Sequence, residues 1–217
     1  MGISDYFSGW WKCFDKVQFT KIYKTLPDLY KSTLVYPNFK EVFKAFKLCK
    51  YEDVRVVILG QDPYFDGNAT GLAFANKNDA KKLSPSLEIL KNSFKNLQNQ
   101  QEYTIFVPDL ESLAKQGVLL LNTSLTVAAG KPGSHTMLWR PFISSFIKGL
   151  SEWNPGLVYV LLGEQAKSFK PYIGKFNDII ECRHPAYYAR IGEEMPDIFR
   201  EVDRLTISKN NFKIKWL

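Results

Sequence analysis

A chain of 217 residues with 45% hydrophobic content can fold around one sizeable core and is short for two. Its 29 Lys+Arg against 22 Asp+Glu leave a net charge of +7, which suits an anionic partner such as nucleic acid and equally a solvated basic surface. No apolar run approaches the ~20 residues of a membrane span, and the start MGISDYFSGWWKCFDK lacks the apolar stretch and small-residue cleavage site of a secretory leader. The expectation is an intracellular protein without membrane contact. Cys13, Cys49 and Cys182 are far apart, and His135 and His184 form no H-x-x-x-H pattern. The ligand sets of a metal site are therefore not expected, nor is a disulfide framework.

The first fifty residues read as helical, with Val42, Phe43, Phe46 and Leu48 spaced among lysines in FKEVFKAFKLCK. Trp10, Trp11 and Phe14 ahead of them are expected to pack on the domain. From there, short apolar runs alternate with helix-length segments. Runs at 54–59 (VRVVIL), 118–121 (VLLL), 157–162 (LVYVLL) and around Ile179 and Ile180 (DIIEC) predict strands buried on both faces. Between them, Ser84-Pro85 sets a capping hydroxyl before a proline at the first helical position, and the helix runs through Leu87, Leu90 and Phe94. Asp109 caps a short helix through Leu113, segments 140–150 and 164–170 form others, and Pro196 opens IFREVDRL. Strand and helix taking turns predict an α/β fold, a three-layer α/β/α sandwich around a central four-stranded, mainly parallel sheet, with residues 1–217 as a single domain.

Ligands of open parallel sheets bind beyond the carboxyl ends of the strands. Those ends lead into Gly60-Gln61-Asp62-Pro63-Tyr64, Asn122-Thr123-Ser124, Gly163-Glu164-Gln165 and Arg183-His184-Pro185, so one crevice should collect Asp62, Tyr64, Asn122 and His184. Taken singly, each is an ordinary loop residue: Asp62 a turn former, Asn122 a strand terminator, His184 a satisfied histidine. Together they describe more. An amide presents a donor beside an acceptor to the edge of a planar heterocycle, and Phe74 offers a face to stack on. A carboxylate can stabilise a developing cation or orient water while an imidazole hydrogen-bonds a developing anion. That pairing suits cleavage of a bond whose halves take opposite charge, such as a base leaving a sugar.

The strings GQDPY, GLAF, LLLNTSLTV, GSH and HP, in that order, closely resemble the family 1 uracil-DNA glycosylases, from about Phe39 to the terminal KIKW, with 1–38 outside the clear resemblance. The resemblance implies a monofunctional, cofactor-free and metal-free hydrolase of DNA repair that releases uracil and leaves an abasic site. It assigns Asp62 to water and the oxocarbenium-like sugar, and His184 to uracil O2. Gln61 and Asp62 would contact uracil through the main chain, Tyr64 would exclude the thymine methyl, Phe74 would stack on the base and Asn122 would read its edge. The target must be extruded from a duplex, glycosylases being a named case of that rule. Ser84, Pro85 and Ser86, with Ser134 and His135, match DNA-gripping loops. Partners implied are uracil-containing DNA, single- or double-stranded, and an acidic DNA-mimicking inhibitor; a monomer is expected.

The chain departs from the pattern in places. Phe65 stands where His usually follows GQDPY, Thr70 where His precedes GL, Ala75 where Ser follows Phe74, and Ser84 at the first position of Pro-Pro-Ser. The common HPSPLS is His184-Pro185-Ala186-Tyr187-Tyr188-Ala189. This places Tyr188, with Tyr187, at the wedge that enters the base stack. A glycosylase-like DNA-binding scaffold with weakened catalysis is the competing reading. A phosphate-loop nucleotide binder is disfavoured because neither G-x-x-x-x-G-K nor G-x-G-x-x-G follows a strand.

Overall fold

A computed structural model describes residues 3–97 and 105–217. In chain order it comprises α1 (Ile3–Phe7), a 3-10 turn, α2 (Lys16–Ser32), β1 (Val35–Tyr36), α3 (Lys44–Leu48), β2 (Val56–Gly60), α4 (Pro85–Lys95), α5 (Glu111–Lys115), β3 (Val118–Asn122), β4 (Val127–Ala128), α6 (Thr136–Trp153), β5 (Val158–Leu162), α7 (Glu164–Lys167), β6 (Asp178–Cys182), α8 (Pro185–Ile191) and α9 (Ile198–Asn210). The four apolar runs form one sheet of order β3-β2-β5-β6, every pair parallel. Helices flank it, giving the layered α/β architecture expected. β2, β3 and β5 are buried along their whole length, as continuous apolar strands in a parallel sheet must be.

β6 departs from expectation. It is an edge strand, partly exposed except at Cys182, with Glu181 facing solvent. Asp178 and Glu181 form ion pairs with Lys209 and Lys170, charges that discourage edge-to-edge pairing. A further two-stranded antiparallel ribbon, β1 with β4, joins Val35 to Ala128 and Tyr36 to Val127.

Helix starts differ in instructive ways. The Ser84 hydroxyl does not cap α4; it accepts from Asn76 Nδ2 at 2.8 Å while its own amide donates to Asn76 Oδ1 at 2.7 Å. Asp109 does serve its helix, Oδ1 accepting from Glu111 N at 2.9 Å, from one residue before the Leu110 cap position. α6 begins at Thr136, a turn ahead of Pro141, which is accommodated inside the helix. The N-terminal rings pack as expected: Trp10 is 1% exposed and donates from Nε1 to Cys49 O at 2.8 Å. Phe14 lies edge-on to Phe142 and Phe146 of α6 at 5.2 and 5.7 Å between ring centroids. One hydrophobic cluster runs from Phe7 to Trp216. Among the described residues no helix is long and apolar enough to cross a membrane.

Candidate active site

The carboxyl ends of the four sheet strands deliver Gln61, Asn122, Gly163 and Arg183-His184 to one edge. Register keeps them there: Gly60 pairs with Asn122 at the last rung of β2 and β3. Beyond it, Gln61 O accepts from Ser124 N and Thr123 Oγ1, both at 3.0 Å. The loop after β2 is thus laced to the loop after β3 just ahead of Asp62. A cavity of about 320 Å³ opens here, lined among others by Gln61, Asp62, Tyr64, Phe65, Phe74 and His184, a size that suits a small planar ligand.

Asp62 is held by one oxygen. Oδ2 accepts from the Gly133 amide at 2.7 Å and from Gln61 Nε2 at 3.1 Å, whereas Oδ1 is buried with no partner among the described residues. Burial pushes the carboxyl above its usual range, the Gly133 and Gln61 hydrogen bonds and the nearby His135 pulling it back. A carboxylate paired through one oxygen and unpaired at the other keeps an acceptor for a water proton. Among the described residues no cluster of side chains could hold a metal ion.

His184 begins α8, and its Nδ1 accepts from Ala186 N at 3.2 Å. A backbone amide can only donate, so the neutral imidazole carries its proton on Nε2 and offers a donor there. Burial holds its pKa below the ordinary histidine value. Its ring lies 5.7 Å from that of Phe74, inclined at 44°. Gly163 permits this placement: at φ 94° it admits no ordinary side chain, and a Cβ there would sit 2.9 Å from His184 Cβ.

Phe74 itself has φ 66°, the left-handed region that costs a bulky residue roughly 1–2 kcal/mol. The Tyr64 hydroxyl donates to its carbonyl at 3.1 Å. Burial drives the Tyr64 phenol upward, the neighbouring Ser84 and Ser86 hydroxyls opposing the shift, so the ring stays neutral and fixed. Asn122 is 6% exposed, and its side-chain amide makes no hydrogen bond to another described residue. A Cβ on Gly60 would come within 2.6 Å of Asn122 Oδ1 and 3.0 Å of the Phe74 ring. The missing side chain at position 60 therefore lets amide and ring converge, a role that the apolar-run pattern did not signal.

The remaining sequence candidates fall into two groups. Ser84, Pro85 and Ser86 line the cavity, Pro85 exposed and both serines buried. The exposed Ser134 accepts on Oγ from Ala128 N at 2.9 Å. His135 is only 8% exposed; its Nδ1 lies 2.9 Å from Thr126 Oγ1, which also accepts from Trp139 Nε1 at 2.7 Å. Burial depresses the His135 pKa against the pull of Thr126 and the Asp62 carboxylate. Its ring anchors the loop whose Gly133 amide grips Asp62. Tyr188 is 8% exposed, its hydroxyl 3.3 Å from Cys182 Sγ, while Tyr187 is half-buried beside it. Phe65 is 44% exposed at the cavity wall, and Thr70 and Ala75 are buried.

Comparison with known proteins agrees with this geometry. The family model described as the uracil DNA glycosylase superfamily matches residues 46–204. The chain is 41% identical to a uracil-DNA glycosylase of Fusobacterium nucleatum over 210 residues, covering 94% of this chain and 90% of that protein. It is 35% identical to that of Desulfitobacterium hafniense over 209 residues, covering 94% and 91%. The fold matches the crystal structure of a mimivirus UNG variant in complex with UGI with a TM-score of 0.80 at 22% identity, covering 93% of this chain and 83% of that one. With the family matched across more than half its length and relatives so similar over nearly all of it, the chain belongs to the uracil DNA glycosylase superfamily.

Proposed function

We propose that this protein hydrolyses the N-glycosidic bond of deoxyuridine in DNA, releasing uracil and leaving an abasic site. The carrying observation is the Asn122 amide: nearly buried, beside the Phe74 ring and the Asp62 loop, with no partner of its own among the described residues. An amide so enclosed and without a protein partner keeps its donor and its acceptor for a ligand. A ring with a carbonyl next to an N–H, stacked on Phe74, satisfies both of its functions. Cytosine reverses the pattern facing Asn122, and a site built for one pattern can reject its rival by about 10⁴ or more. The fixed Tyr64 ring supplies the steric bar against a 5-methyl group.

The chemistry divides between two side chains. As the C1′–N1 bond breaks, its electron pair goes to the base, and the Nε2 proton of neutral His184 stabilises the charge at uracil O2. The sugar left behind is cation-like and takes the oxygen of a water. Asp62, fixed through Oδ2, offers the unpaired Oδ1 to that water and accepts its proton, while the negative carboxylate steadies the cation. No metal or cofactor has a step in this sequence, and no lysine has an assigned role in attack on the sugar.

The surrounding loops would bind DNA: Ser84, Pro85, Ser86 and Ser134 against phosphates, with His135 holding the loop from within. Tyr188 can reach a base stack only by giving up its Cys182 contact. An acidic inhibitor that mimics DNA would cover the same mouth. The whole chain would act as one monomeric unit, in whichever cell compartment holds the DNA. The test is release of free uracil from a uracil-containing oligonucleotide in EDTA, with Asp62→Asn and His184→Ala in parallel. Release by the parent with losses on the order of 10²-fold or more in each variant supports the assignment; no release by the parent overturns it.

A further inference from the structure

Six arginines occur in the chain, and four are engaged by the protein. Arg55 donates to the carbonyls of Glu52 and Val54, Arg140 to Ser168, Arg200 to Asp197 and Arg204 to Glu201. Arg183 and Arg190 are the exceptions. Both are exposed, and among the described residues neither guanidinium has a hydrogen-bond or ion-pair partner. Both instead lie over one ring, that of Tyr187, at 4.4 and 5.6 Å from its centroid.

Their place in the fold gives this cluster meaning. Arg183 precedes His184, and Ala186, one residue before Tyr187, lines the cavity wall. The helix that carries Tyr187 and Arg190 packs closely on α4, whose first residues also line the cavity. Two cations therefore stand beside the mouth with their directional donors unspent. Stacking on an aromatic face fixes a guanidinium in place without consuming its N–H groups. The two groups are at most about 10 Å apart, a span that covers neighbouring phosphates on a strand whose charges recur every ~3.4 Å of helix axis. On this helix Ala186 has no hydroxyl to offer a phosphate, and the Tyr188 ring is turned into the core.

We infer that Arg183 and Arg190, braced on Tyr187, clamp the phosphodiester backbone of the DNA strand flanking the extruded nucleotide. This rests on the glycosylase reading for the identity of the strand, but its test is independent of catalysis. The clamp supplies affinity and register, not base choice.

The experiment measures binding of a fluorescent oligonucleotide carrying a tetrahydrofuran abasic analogue, across a series of salt concentrations, by anisotropy. Parent, Arg183→Ala, Arg190→Ala and the double variant are compared with Lys175→Ala, which removes one charge ahead of the amino end of β6, the end opposite the one that leads into Arg183. Each arginine variant should weaken binding and flatten the log–log salt slope by about 0.7 on single-stranded and about 0.9 on duplex DNA, with the double variant near twice that. Lys175→Ala should leave the slope unchanged. Tyr187→Ala, which keeps both charges but removes the brace, should weaken binding with the slope retained. Arginine variants with parental slopes, or a Lys175 variant that flattens the slope equally, overturn the clamp. A parent that binds with arginine-dependent slope yet releases no uracil overturns the catalytic reading alone.

Discussion

The hydroxyl of Tyr64 donates to the carbonyl of Phe74 at 3.1 Å, and Phe74 stands at φ 66°. Under the proposed reading, the residue that bars a methyl group also holds the backbone of the residue that stacks on the base, so discrimination and stacking share one hydrogen bond. Tyr64→Phe should separate them: thymine stays excluded because the ring remains, while kcat/KM on uracil falls roughly 5- to 30-fold for loss of about 1–2 kcal/mol of positioning. Tyr64→Ala should release measurable thymine from a normal strand. Free-base chromatography of the two variants on uracil- and thymine-containing oligonucleotides checks both.

Asn122 and Gly60 form a second such pair. Asn122→Asp should begin to release cytosine, because a protonated carboxyl can present the opposite donor pattern, with uracil release reduced on the order of 10²-fold or more. Gly60→Ala places a Cβ 2.6 Å from Asn122 Oδ1 and should produce a comparable loss on uracil with no gain on cytosine. Its cost in stability should be that of modest overpacking, about 1–3 kcal/mol, read by denaturant unfolding.

In the proposed mechanism Asp62 acts as a buried charge, which costs stability. Its carboxyl is raised by burial, so the native state holds this proton more tightly than the unfolded chain does. Stability from this group therefore falls as pH rises from the usual carboxylate range through the raised native value. Asp62→Asn removes the buried charge while leaving an oxygen for the Gly133 amide. It should raise Tm at neutral pH by about 2–4 °C, which is roughly 1 kcal/mol at this chain length, and the gain should fade below the carboxylate range. A Tm difference independent of pH contradicts the assignment.

His184 behaves oppositely. Its pKa is lowered by burial, so the unfolded chain takes up a proton first as pH falls, and the stability contributed by the neutral ring is present above the ordinary histidine range and lost below it. Scanning calorimetry of His184→Gln between mildly acidic and neutral pH should show a flatter dependence than the parent. Activity should fall on the acid side as the Asp62 carboxylate, raised by burial, takes up its proton, and Asp62→Asn should leave a residual rate lacking that limb.

The sheet was legible because a strand buried on both faces must be an unbroken apolar run, and VVILG, VLLLN and VYVLL are such runs. β6 was legible as a strand and misread in burial, since an edge can carry Asp178 and Glu181 that a central strand cannot. β1 and β4, two residues each, are too short to show a period. In the site, Asp62, Tyr64 and His184 line one cavity, as their positions after β2 and β6 suggest, while Asn122 ends β3 beside Gly60 and the Phe74 ring. The inward turn of Tyr188 and the anchoring of His135 by Thr126 depend on tertiary partners that no local pattern announces. Gly60 and Gly163 matter for what they leave empty, which a sequence shows only as a letter.

The ribbon of β1 with β4 reaches further than its size suggests. Ala129 N donates to Leu34 O at 2.9 Å and Gly130 N to Phe65 O at 3.0 Å, immediately before the loop that presents Gly133 to Asp62. The N-terminal segment, which holds none of the recognisable strings, thus forms the outer rail along which that loop is laid. Shortening the protein to its motif-bearing part would be felt first as a misplaced carboxylate, a catalytic defect written in residues far from any catalytic letter.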